Sequence, residues 1–175
     1  MNQDAATKVA LVTGATSGLG AAIAAALAAA GWRVYGTGRH LAETAPAEGQ
    51  FPRFIALDVR SQESVVNAVS TVVKSEGGLD LLVACAGNGI AGSVEDSAMA
   101  EIEAQMDVNF LGAVRTVKAC LPSMRARRRG RIIVIGSLAG RTGMPYQAFY
   151  SGSKFALEGF VESLRYEVAP FGVQA

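Results

Sequence analysis

The chain has 175 residues, enough for one domain with a sizeable core and too few to expect two. Half of them are apolar and only 7% aromatic, a composition that excludes a disordered chain and suits compact α/β packing. A formal net charge of +1 supplies no field that would gather nucleic acid or an anionic membrane.

Cys85 and Cys120 stand far apart in apolar surroundings, which favours reduced thiols over a disulfide or a metal site and fits a reducing compartment. The opening Met1-Asn2-Gln3-Asp4 lacks the basic, apolar and small-residue succession of a signal peptide. The longest apolar helical stretch, residues 21–30, is too short to cross a bilayer. A soluble cytoplasmic protein is expected, with no membrane span and no nucleic-acid partner.

Short β-branched runs alternate with longer helical stretches. Strands are expected at residues 9–13, 33–37, 54–58, 81–84 and 131–135. Helices are expected at 18–30, ending at Gly31, at about 108–125, and at about 150–168, where Pro170 and Gly172 stop the last one. Near-continuous apolar strands between helices mean a parallel sheet covered on both faces, so the fold class is α/β, three layers, doubly wound. All 175 residues then form a single domain. The basic run from Arg125 to Arg131 closes a helix, where cations suit the negative dipole end, and is expected to be a solvated connection. His40, the sole histidine, has no chemical neighbours in sequence and is given no role.

The first strand leads into Thr13-Gly14-Ala15-Thr16-Ser17-Gly18-Leu19-Gly20 and then an Ala-rich helix. Gly14 permits a tight turn. Gly18 and Gly20 let backbone approach a pyrophosphate at the helix N-terminus, where free N–H groups and the positive dipole end face the ligand. This strand–turn–helix context is the one a Rossmann-type dinucleotide site requires. After strand two the chain reads Gly36-Thr37-Gly38-Arg39, with no carboxylate to accept from a ribose 2′-hydroxyl. Arg39 can instead clamp a 2′-phosphate, with Ser17 as a second donor, so NADP is favoured over NAD. Asp58 and Val59 end strand three at the same carboxyl edge, where Asp58 can accept from an adenine amino group. Ala86 and Gly87, after strand four, let backbone lie close to a nicotinamide ribose.

Tyr150-Ser-Gly-Ser-Lys154 opens the last helix, and residues four apart share a helical face. A phenol, with a reference pKa of roughly 10, is a poor base near neutrality, and a neighbouring cation favours its ionised form. Tyr150 is then placed to act as general acid in carbonyl reduction and as general base in alcohol oxidation. Ser137, after strand five, can hydrogen-bond a substrate oxygen as charge develops there. The amide of Asn109 can hold a water between backbone and Lys154. Residues 138–149, with Met144, Tyr146 and Phe149, are expected to line an apolar substrate pocket.

Thr13 to Gly20, Asp58, Cys85-Ala86-Gly87, Asn109, Ser137, Tyr150 and Lys154 together resemble the ordered motif set of the classical short-chain dehydrogenases/reductases, over essentially the whole chain. The stretch from Tyr150 to Phe160, with Pro170-Phe-Gly-Val downstream, is similar to the branch of 17β-hydroxysteroid and retinol dehydrogenases. The resemblance implies a catalytic tetrad of Asn109, Ser137, Tyr150 and Lys154, with Lys154 also binding the nicotinamide ribose. It also implies a homodimer or homotetramer. Two departures stand out: Cys85 replaces the usual Asn, and the sequence stops at Ala175 just as strand six begins. A longer parent polypeptide is therefore expected, with the 175 residues binding NADPH weakly alone.

Two functions fit. The first is an NADP-dependent oxidoreductase interconverting a hydroxyl and a carbonyl on a small-molecule alcohol or ketone of hydrophobic character. The second is a non-catalytic dinucleotide-binding sensor or inactive short form.

Overall fold

The computed structural model describes residues 7–41 and 50–175; the N-terminal reading of Met1 to Asp4 lies outside them. Its centre is a six-stranded, all-parallel sheet in the order β3-β2-β1-β4-β5-β6. The strands are β1 (Val9–Val12), β2 (Arg33–Gly38), β3 (Arg53–Ala56), β4 (Leu81–Ala84), β5 (Gly130–Val134) and β6 (Val173–Gln174). The helices are α1 (Gly18–Ala29), α2 (Gln62–Glu76), α3 (Met99–Met106), α4 (Gly112–Ala126) and α5 (Ala148–Val168).

The sheet buries both faces, but unequally. Leu11, Tyr35, Leu82, Ile132 and Val173 pack under α2, α4 and α5, through Val69, Val72, Val117, Cys120, Met124, Leu164 and Val168. Fully buried side chains such as Leu11 and Leu82 each contribute on the order of 1.5–3 kcal/mol. The opposite face carries Ala10, Val12, Val34, Leu81 and Val83, covered by Ala24, Ile23 and Leu27 of α1. Ile133 of β5 lies past that cover and is 40% exposed. Helix on both sides of a sheet gives the expected three layers.

Sequence signals explain the helix ends. Ser61 caps α2 by accepting from Ser64 N, and Gly77, at φ 73°, ends it in the left-handed region that glycine enters freely. Gly172, at φ 69°, closes the turn after α5 and turns the chain into β6. One expected boundary moves: the helix predicted to start near residue 108 begins at Met99, and its α3 and α4 halves join through a π turn, Asp107–Leu111. No polar cap marks that start, since Ala98 holds the cap position without a side-chain bond. The basic run is less free than expected. Arg127 and Arg129 pair with Asp80, and Arg128 donates to Pro170 O.

The strand order places the site. From β1 the chain moves outward through β2 and β3, then returns to lay β4 on the other side of β1. The connections after β1 and β4 therefore diverge, opening a crevice at their carboxyl ends.

Candidate active site

Thr13, buried at the end of β1, ties the two central strands together: its Oγ1 accepts from Cys85 N at 3.0 Å and Ala86 N at 3.1 Å. The glycine turn follows. Gly14 has φ 66°, and a Cβ there would fall 2.8 Å from Ala86 Cα. A Cβ on Gly20 would stand 2.3 Å from Gly14 O, so this helix start closes on the turn only with glycine. Thr16, Ser17, Gly18 and Leu19 are left exposed along a cleft. Ser17 caps α1 with its backbone alone, so its hydroxyl is not used on the helix, and no acid occupies the first turn.

The cleft measures about 810 Å³ and runs from Arg39, Asp58 and Val59 past the glycine turn and Cys85-Ala86-Gly87 to Tyr150 and Lys154. Arg39 is exposed at one end. Asp58 already has a partner: the Arg60 guanidinium grips its carboxylate through Nε and Nη2, at 2.7–3.1 Å. That pairing, aided by the charge of Arg39, brings the Asp58 carboxyl down to about 2. Val59 O accepts from Arg115, and Gly112 allows the Val59 side chain to pack against the start of α4.

At the other end Lys154 is 7% exposed, a buried ammonium. Its Nζ donates to Ile135 O at 2.9 Å and lies 5.7 Å from the centroid of the Tyr150 ring. One turn of α5 separates the two residues, as the spacing requires. Burial pushes the Cys85 thiol up, partly offset by the Lys154 charge.

Asn109 sits fully buried in the π turn. Its Oδ1 accepts from Asn88 N at 2.9 Å, and Nδ2 donates to Asn88 O at 2.8 Å and to Ser153 Oγ at 3.0 Å. Ser153 Oγ in turn donates to Tyr150 O. Both amide hydrogens of Asn109 and its one side-chain oxygen are thus engaged by Asn88 and Ser153. Ser137 lies three residues past the end of β5, and its Oγ accepts from Ala139 N at 3.2 Å. Neither Asn109 nor Ser137 lines the cleft.

Of residues 138–149, expected to line a substrate pocket, Gln147 lines this cleft, and Met144 and Tyr146 are solvent-exposed. Tyr146 takes φ 57°, its carbonyl accepts from Gly92 N, and its ring is 72% exposed. Sequence reasoning missed Thr13 as a strand tie, Arg60 and Gln105. Arg60 had a local signal in the Asp58-x-Arg60 spacing; the other two bond only to residues distant in sequence.

The cleft suits a dinucleotide. Glycines line it where a Cβ would fill it, an uncompensated helix N-terminus faces it, and an exposed cation stands at its far end. Among the described residues no helix is long and apolar enough to cross a membrane.

Residues 8–175 match the family of short chain dehydrogenases. The chain is 44% identical to 3-ketodihydrosphingosine reductase of Bacteroides thetaiotaomicron, covering 95% of this chain and 61% of that one. It is 40% identical to human retinol dehydrogenase 8, over 97% of this chain and 57% of the relative. It is 41% identical to rat estradiol 17-beta-dehydrogenase 1, over 94% and 51%. The chain thus spans between half and three-fifths of the length of these relatives. Among solved structures, a short-chain dehydrogenase from Streptomyces avermitilis superposes with a TM-score of 0.90 at 37% identity, over 96% of this chain and 63% of that one. A metagenomic short-chain oxidoreductase in complex with NADP does so with a TM-score of 0.87 at 32% identity, over 95% and 78%. With its parallel sheet, its glycine turn and a match across nearly all of its residues, this chain belongs to the short-chain dehydrogenase family.

Proposed function

We propose that the chain is the dinucleotide-binding and catalytic part of an NADP-dependent oxidoreductase that interconverts a hydroxyl and a carbonyl on a hydrophobic small molecule. The observation that carries this reading is the pairing of Tyr150 with the buried Lys154 in the same cleft as the glycine turn. A dinucleotide held in this cleft would supply or accept the hydride at the substrate carbon.

In the reducing direction, the Tyr150 hydroxyl gives its proton to the carbonyl oxygen; in the oxidising direction it takes the alcohol proton. Lys154 sets a cation 5.7 Å from the centroid of the phenol ring, near where negative charge develops as the proton leaves. Its hydrogen bond to Ile135 O fixes the ammonium and leaves N–H groups for a ribose hydroxyl. Ser137 orients the substrate oxygen. Asn109 braces the wall at Asn88 and reaches Tyr150 through Ser153. Gly14, Thr16, Ser17, Gly18, Leu19 and Gly20 hold the pyrophosphate; Arg39 with Ser17 holds the 2′-phosphate; Asp58, Val59, Ala86 and Gly87 line the nucleoside ends.

Relatives named for a ketodihydrosphingosine, a retinol and an estradiol support a large apolar substrate. A cytoplasmic homodimer or homotetramer is the assembly this reading carries. The test is turnover of a panel of apolar ketones and aldehydes with NADPH. Reduction of one or more supports the reading; tight NADPH binding with no turnover of any would assign the chain to cofactor binding alone.

A further inference from the structure

One wall of the cleft is the segment after β4, residues 87–91. At its middle, Gly89 lies against the Tyr150 ring: a Cβ there would stand 3.4 Å from Cδ2. Two buried amides hold the residues on either side of it. Asn109 takes both backbone groups of Asn88, and Gln105 Oε1 accepts from Ile90 N at 2.7 Å. The third tie, Gly92 N to Tyr146 O, uses backbone only.

Gln105 is the anomalous member. It is fully buried on α3, yet its Nε2 has no hydrogen-bond partner among the described residues. An orphaned buried amide nitrogen opposes folding, and methionine would fill the same volume without it. What glutamine supplies there, and methionine cannot, is the acceptor for Ile90 N–H. We infer that Gln105 is a positioning residue that sets Gly89 against the Tyr150 ring, acting on the phenol through a loop and touching no reacting group itself. Its catalytic meaning rests on Tyr150 being the proton-transferring group; its structural content does not.

The test is Gln105→Met, followed without ligand by amide hydrogen exchange and by ¹³C NMR of ring-labelled tyrosine. Four tyrosines give a spectrum in which Tyr150 is assigned by its loss in Tyr150→Phe. The orphaned nitrogen disappears while Ile90 N–H loses its acceptor, so the thermal midpoint should change little. Exchange at the Gly89 and Ile90 amides should quicken by about tenfold, the weight of one neutral hydrogen bond. The Tyr150 resonance should move while those of Tyr35 and Tyr166 stay. Unchanged exchange with an unmoved Tyr150 resonance overturns the inference, as does a shift of all four tyrosines, which marks general loss of packing. Should Gln105→Met not fold, Gln105→Glu carries the test, because it keeps the acceptor: protection at Ile90 must persist, and its loss overturns the inference. A parent protein that does not bind NADPH refutes the reading of the cleft instead, and leaves the Gln105 result standing.

Discussion

The two ends of the cleft are built by opposite means. At the glycine turn and Arg39, the groups offered to a ligand are backbone and exposed side chains, supported by strand ends and close glycine contacts. At Tyr150 and Lys154, the lysine is buried and the surrounding polar contacts are buried or partly buried: Lys154 to Ile135 O, Asn109 to Asn88 and Ser153, Ser153 to Tyr150 O. Recognition of a charged cofactor tolerates solvent, because phosphates are met by water-facing donors. Proton transfer needs groups fixed in a drier place, where electrostatic effects are larger. Substitutions at the first end should therefore change which cofactor binds. Substitutions at the second should change whether anything reacts.

The largest effect is expected from Lys154→Met. It removes the cation beside the phenol and a donor for the ribose, so turnover should fall on the order of 10²–10⁴-fold and NADPH affinity should drop with it. Thermal stability should hold or rise, because burying an ammonium opposes folding. Calorimetric titration beside steady-state rates checks this; normal affinity with lost turnover would make the two ends more separate than proposed.

Next is Arg39→Asp. Loss of a charge-assisted contact of about 1.5–3 kcal/mol should weaken NADPH binding roughly tenfold to a hundredfold and leave NADH unharmed or improved. Dissociation constants for both dinucleotides decide it, and equal affinities unchanged by the substitution would break the comparison.

The smallest effect concerns Arg60. Its grip holds the Asp58 carboxyl at about 2, below the ordinary carboxylate value of 3.8. A depressed carboxyl contributes stability above its unfolded pKa and loses it as pH falls through the folded one. The contribution is present above about pH 4 and disappears toward pH 2. In Arg60→Ala, the fall of the melting temperature across that window should be shallower than in the parent. The pair is solvent-exposed, so the difference should be slight and should shrink further with salt.

Much of the first end was legible in the sequence, because its parts are local. A turn glycine, a helix start and the Arg39 that replaces an acid lie within a few residues of a strand whose apolar run announces it. The Tyr150 and Lys154 pair was legible for the same reason, since one helical turn joins them. What surrounds that pair was not. Thr13 to Cys85 and Ala86, Gln105 to Ile90, and Asn109 to Asn88 and Ser153 are contacts between distant stretches, and no local pattern marks them. The start of α3 escaped notice because Ala98 gives no capping signal. Nor does any local pattern announce the left-handed backbone at Tyr146, just before Gln147 on the cleft lining.

The central claim is that the cleft binds NADPH through one end and moves a proton through the other. Tyr150→Phe tests it most directly, because it deletes one oxygen and keeps the ring that lies against Gly89. NADPH affinity and turnover of the same carbonyl substrate should be measured on the same samples of parent and variant. Affinity within about twofold of the parent, with turnover down on the order of 10²–10⁴-fold, is the predicted result. A variant that keeps near-parental turnover would show that another group carries the proton, and would contradict the account.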